Sequence, residues 1–213
     1  MADNFLENKF DDYRQRKSAP VSRPGHSLVS LLKKNRSYRG YNPAYKVPTT
    51  ALEQMVAVNP LLPSAKNQQA LRFKLVTEGN GDDIVLDSIK LGGMLPELHL
   101  PFAGTEPRAF IVICSKVPES KMLHVDVGIA AQSMLLKAVE MGYNGLIIGA
   151  FNAKKIEEAF ALPYPPVMIL AIGKGAEKIE LTEISADESH AYYRDENGTH
   201  FVPKVRWEEL IIR

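Results

Sequence analysis

A single cysteine, Cys114, in a chain of 213 residues excludes an internal disulfide. It lies in the apolar run from Phe110 to Cys114, where a buried and inert thiol is expected, and such sparing use of cysteine fits a reducing cytoplasm. Net charge is nearly absent as well. A formal +1 provides no global field for a polyanion, so a broad nucleic-acid surface is disfavoured and any basic cluster must act locally. No segment reaches the ~18 consecutive apolar residues of a membrane span. Residues 1–17 are charged throughout, without the apolar core of a signal segment, so the chain reads as soluble and non-membrane. Neither G-x-G-x-x-G nor G-x-x-x-x-G-K-[ST] occurs, and there is no nucleophile elbow. His26, His99, His124, His190 and His200 lack Cys or carboxylate partners at ligand-like spacing, so no metal site is expected.

What is present is an ordinary globular composition, 45% hydrophobic and 24% charged, sufficient for one domain with a sizeable core. Residues 3–17 carry Phe5, Leu6, Phe10 and Tyr13 among charges and predict an amphipathic helical arm, followed by a Pro/Ser/Gly-rich connector to Gly25. A short helix is expected over 27–34. Thr50 and Glu53 form a capping-box pattern for another, which stops by Asn59-Pro60. After a polar loop, residues 71–77 read as a strand, and a helix is expected from Asp82 to Lys90. Residues 92–107 have little periodicity and suit a lid over a pocket. The continuously apolar runs 109–114, 146–148 and 167–172 predict central strands covered on both faces. Between the first two, residues 126–141 predict the main helix, with Asp126 as N-cap and Gly142 at its C-terminal end. Strands alternating with helices indicate an α/β or α+β domain with one covered sheet, and no internal repeat is visible.

Four polar pieces stand out from this framework. In Arg36-Ser37-Tyr38-Arg39, two guanidinium forks flank a hydroxyl, a donor set matched to phosphate oxygens, although the charge alone also suits a solvated helix end. The second piece, residues 63–69 (PSAKNQQ), offers the Asn67 and Gln69 amides, each donor and acceptor at once, for the edge of a heterocycle, or is simply a polar loop. The third is an apolar strand ending at Ile148-Gly149-Ala150, where small residues leave the backbone open to a flat ligand or merely make a tight turn. The fourth is Lys204 and Arg206 opening an expected helix over 204–210, where basic side chains oppose the macrodipole unless an anion sits nearby.

In this order the four pieces resemble the nitroreductase family of flavin-dependent oxidoreductases, over roughly residues 28–212. The resemblance implies an α+β three-layer sandwich with a central, mostly antiparallel sheet flanked by helices, in an intertwined homodimer with flavin mononucleotide (FMN) at the interface. It divides the chain into an arm and connector, 1–27, and an FMN-binding domain, 28–213. By the same resemblance Arg36, Ser37 and Tyr38 lie along the phosphate, and Arg39 supports the N1/C2=O edge of the ring. Asn67 and Gln69 line the ring, Ile148, Gly149 and Ala150 bring backbone N–H groups towards N5, and Lys204 with Arg206 completes the phosphate clamp. Asn35 departs from the family pattern, which often has another Arg there, and Ala70-Leu71 replaces the usual Pro-Trp.

The implied activity is transfer of reducing equivalents from NADH or NADPH, by a ping-pong scheme, to a small oxidised acceptor such as a nitroaromatic or a quinone. The flavin carries the chemistry and no protein acid or nucleophile is required. Two other classes stay open on the residues alone. One is an FMN-binding store or sensor with little turnover; the other is a flavin-free module whose basic segment binds an acidic partner.

Overall fold

The computed structural model describes residues 27–93, Leu95 and 98–213. The arm expected over 3–17 and the connector after it lie outside the described residues.

The architecture is α+β in three layers. Strands β1 (Leu71–Val76), β2 (Ala109–Ser115), β3 (Asn144–Ile148) and β4 (Pro166–Gly173) form one sheet in the order β1-β2-β4-β3. Every neighbouring pair in it is antiparallel. All of β2 is buried, and its alternate residues supply two separate cores. Ile111 and Ile113 meet helices α2 (Thr49–Val56) and α4 (Lys121–Glu140), through Leu52, Met55, Met134 and Leu135. Phe110 and Val112 face the other way, towards helices α3 (Asp82–Leu86) and α5 (Ala153–Ala159), through Val85 and Ile156. Each fully buried side chain of this size contributes roughly 1.5–3 kcal/mol of transfer free energy, so the two cores together hold the sheet from both sides.

Helix α1 (Leu28–Lys34) forms as expected, with the Ser27 hydroxyl accepting from the Ser30 N–H. The expected capping box at Thr50 is not formed. Pro48 stands at the N-cap with extended backbone and the helix already begins at Thr49, so Thr50 lies inside the first turn. The helix expected to reach Lys90 ends at Leu86.

Helix α4 begins earlier than the Asp126 cap predicts. Ser120 caps it by accepting from the Leu123 N–H at 3.1 Å. Gly142, at φ +84°, ends it as expected, and the Tyr143 N–H reaches back to the Ala138 carbonyl. By length and composition alone α4 is long and apolar enough to cross a membrane, but its buried stripe packs against the sheet.

A second sheet was not legible in sequence. Strands β5 (Ile179–Ile184), β6 (Tyr193–Arg194) and β7 (His200–Val205) pair in the order β5-β7-β6. The β5/β7 pair is parallel and the β6/β7 pair antiparallel. Lys204 therefore lies on a strand, and the helix expected from 204 is only a 3-10 turn, Trp207–Leu210, with Arg206 at its N-cap.

Freed from capping, Asp126 has another task. Its carboxylate is buried, and its two oxygens accept from the Ala65 N–H at 2.9 and 3.1 Å, tying the 63–69 loop to α4. That loop needs a tie. Lys66, Asn67 and Gln69 all adopt left-handed backbone, which is unfavourable for residues other than glycine. A hydrogen bond to a charged acceptor is worth about 1.5–3 kcal/mol. Asp126→Ala should therefore lower the unfolding free energy by about that much in denaturant titrations and raise amide hydrogen exchange in residues 64–69, with Asp126→Asn recovering part of the loss.

Candidate functional site

The basic segment is laid against the sheet as an added strand. Ser37 bridges Gly145 in parallel, and the Tyr38 N–H donates to the Gly145 carbonyl at 3.2 Å. Only a glycine fits at 145, because a Cβ there would stand 2.4 Å from Leu135 Cδ2 and 2.7 Å from the Ala171 carbonyl oxygen. On its other side the segment pairs with the chain after β4. The Asn42 N–H donates to the Lys174 carbonyl, Tyr41 bridges Gly175, and the Ala176 N–H donates to the Gly40 carbonyl.

A pocket of about 300 Å³ opens beside this strand, at the low end of the range for small-molecule sites. Arg36, Ser37, Arg39 and Lys204 line it, so residues from both ends of the domain converge as the sequence suggested. No carboxylate is among its lining residues. Tyr38 does not enter. Its ring packs over Gly175, where a Cβ would fall 2.3 Å from Tyr38 Cδ1, and it joins the core beneath the sheet. Burial, first of all, pushes the Tyr38 hydroxyl pKa up, with the nearby Glu177 carboxylate adding to the shift.

Arg36 is the most telling cation. One of its terminal nitrogens donates to the Leu32 carbonyl at 2.6 Å, while its Nε is buried without a partner. Burial lowers its pKa, the sign of a charge held without full solvation. Arg39 donates to the Ser37 carbonyl at 3.1 Å and places its guanidinium carbon 5.2 Å from the centre of the Tyr192 ring. Arg206 is not a lining residue. Its Nε donates to Glu209 at 2.9 Å and another of its nitrogens donates to the Ser185 hydroxyl.

The remaining expected residues divide by distance along the chain. Ile147 lines the pocket, and Gly149 follows about 7 Å farther along the strand direction. Ile148 is buried, whereas Gly149 and Ala150 are exposed. A Cβ at 149 would meet nothing nearer than Met168 Sδ at 4.0 Å, so there is open room over the backbone. Asn67 and Gln69 are exposed and bond to one another, Gln69 Nε2 donating to Asn67 Oδ1 at 3.1 Å. They do not reach the basic pocket within one chain. Their loop borders a second, mostly apolar pocket of about 380 Å³, on which Asp126, Ile129 and Ala130 of α4 also open.

Several pocket residues lie outside the set expected to bind. Asn35 donates to Gln132 of α4 at 3.3 Å, an amide pair where the resembled family often has an Arg. Tyr192 and His200 form an aromatic wall, ring centres 5.0 Å apart and planes tilted by 54°. Cys114 is inert as expected, with burial pushing its thiol up to about 11. Among the described residues no group of side chains is arranged to hold a metal.

Comparison with known proteins points to one family and one fold. Residues 97–174 match the family model for the nitroreductase family. Over that segment the chain is similar to the nitroreductase family. Among its relatives is YdgI of Bacillus subtilis strain 168, provisionally named an NAD(P)H nitroreductase, 24% identical with 79% of this chain and 93% of that protein covered. A solved nitroreductase-family protein of Clostridium difficile 630 superposes with a TM-score of 0.56 at 25% identity, covering 71% of this chain and 86% of that one. The structure of a provisionally assigned nitroreductase of Exiguobacterium sibiricum 255-15, solved in complex with FMN, gives a TM-score of 0.58 at 20% identity, with 73% and 91% covered. The nitroreductase fold thus frames the pocket described above.

His200 supplies a pH test of the wall. It is 2% exposed, and its Nδ1 is buried without a partner. Burial, then the Arg194 and Arg39 charges, lowers its pKa below the ordinary 6.5, with Glu177 opposing weakly. With the folded value below the unfolded one, the unfolded chain takes up the proton first as pH falls. The contribution of neutral His200 should be fully present above about 6.5 and be lost as pH falls through the folded value. A His200→Phe variant should show a flatter stability profile over that window by urea titration.

Proposed function

We propose that the protein is an FMN-dependent oxidoreductase that takes electrons from NADH or NADPH and passes them to a small oxidised acceptor, of which nitroaromatics and quinones are the classes to test first. The observation that carries this reading is the convergence of Arg36, Ser37, Arg39 and Lys204 on one carboxylate-free pocket, with a buried Arg36 Nε lacking a partner. A desolvated, incompletely bonded cation favours an anionic ligand. The donor set fits a phosphate, and the open backbone beyond Ile147 gives a planar ring somewhere to lie.

When bound, FMN would supply the electron-transfer chemistry. The chain supplies placement. Arg36, Ser37 and Lys204 would hold the phosphate; Arg39, steadied by the Tyr192 ring, would present positive charge to the N1/C2=O edge; and the Gly149 and Ala150 backbone would lie open to the ring. Arg206 joins the phosphate clamp only by leaving Glu209. No side chain is assigned a proton-transfer or nucleophilic role.

A second copy of the chain completes the site in this reading, giving a homodimer. The Asn67/Gln69 loop does not reach the basic pocket of its own chain, and apolar side chains on α1 (Leu28, Val29) and α4 (Met122, Val125) are exposed. A partner seated there covers these faces and offers its own loop amides to the ring. A cytoplasmic location accords with the free thiol of Cys114.

The purified protein should show a visible flavin spectrum, or acquire one with added FMN, and NADH or NADPH should bleach it without oxygen. Retained flavin that neither nucleotide bleaches would indicate a store or sensor instead. Arg36→Ala combined with Lys204→Ala removes two charge-assisted bonds, each worth about 1.5–3 kcal/mol. FMN affinity should fall by roughly two to four decades in a fluorescence titration while the circular dichroism spectrum is kept.

A further inference from the structure

Glu177 stands just after β4, and every polar contact it makes leads back to the site. Its Oε2 accepts from both the Arg39 and the Gly40 backbone N–H groups, the latter at 3.0 Å. Its Oε1 accepts from Arg194 of β6. The side chains of this ion pair are 9% and 10% exposed, so it is shielded from water, where charges act over longer range than on a surface. Through Arg194 the pair anchors β6, and Tyr192, the ring beneath Arg39, precedes that strand directly. One carboxylate therefore fixes the backbone of Arg39 from one side and the support of its guanidinium from the other.

The charge has a second effect. Glu177 is the acidic group held against Arg39, and Arg194 balances it. The pair is close to neutral as a whole, with its negative end on the Arg39 backbone. Reduced flavin gains negative charge at the N1/C2=O edge, so positive potential there stabilises the reduced form and negative potential opposes it.

We propose that Glu177 is a positioning residue that fixes Arg39 and, through its charge balanced by Arg194, sets the reduction potential of the flavin bound beside it. This rests on the FMN reading above and adds to it a group that touches neither flavin nor substrate.

The test uses the FMN-loaded, full-length protein and its midpoint potential, measured by anaerobic dye equilibration. Glu177→Gln keeps an acceptor oxygen for the two backbone N–H groups but removes the charge, and the potential should move to a more positive value with flavin retained. Arg194→Gln removes the opposite charge and should move it to a more negative value. The double variant, neutral at both positions, should return towards wild type. A merely structural role predicts shifts of the same sign, or none, in the two single variants, and either result overturns the proposal. If Glu177→Gln does not fold, Arg194→Gln alone decides: an unchanged or more positive potential overturns it. Wild-type protein that takes up no FMN overturns the flavin reading and this proposal together, which separates that failure from an unshifted potential in flavin-loaded variants.

Discussion

Residues 37–42 have little secondary structure of their own, yet the domain closes on them from two sides. Gly145 of β3 approaches from one edge and residues 174–177 from the other. Both approaches depend on missing side chains. A Cβ at 145 collides with Leu135 and the Ala171 carbonyl oxygen, and one at 175 collides with the Tyr38 ring. Close backbone pairing here turns Ser37 and Arg39, with Arg36 just before them, into a fixed array of donors. It places Tyr38 and Tyr41 inwards, where burial raises the pKa of both hydroxyls. The inward tyrosines anchor the segment to the core; the outward residues face the pocket.

The central layer was readable because its signals are local. The continuous apolar runs in β2 and β4 leave few alternatives to a strand covered on both faces, and the glycine after α4 ends that helix as its φ allows. The misread boundaries share a physical cause. Asp126 resembles a cap when seen alone, but its carboxylate is committed to a loop N–H 61 residues away in sequence. Thr50 has the right partner at Glu53, yet Pro48 has already set the entry into the helix. In both cases a tertiary or preceding constraint outweighed a sound local pattern.

The candidate site was legible to the same degree. Arg36, Ser37, Arg39 and Lys204 stand out by charge and spacing, and the fold gathers them. Glu177, Tyr192 and His200 do not, because they are brought in by a second sheet made of short strands with mixed polarity. Its parallel β5/β7 pairing joins residues about twenty positions apart, for which no short pattern exists. The 204–210 segment was misread for the same reason: alternating Lys204 and Arg206 suit a strand edge as well as a helix start, and the partner strand decides.

Helix α4 touches both pockets. Asp126 opens on one and Gln132 on the other, and at a rise of 1.5 Å per residue the two positions are about 9 Å apart along a single rod. The helix thus acts as a ruler. A one-residue insertion between them would lengthen the gap by little, but it would turn everything beyond it by about 100° and swing Gln132 and Leu135 out of register with β3. Both pockets therefore constrain the length of this helix between Asp126 and Gln132 at once.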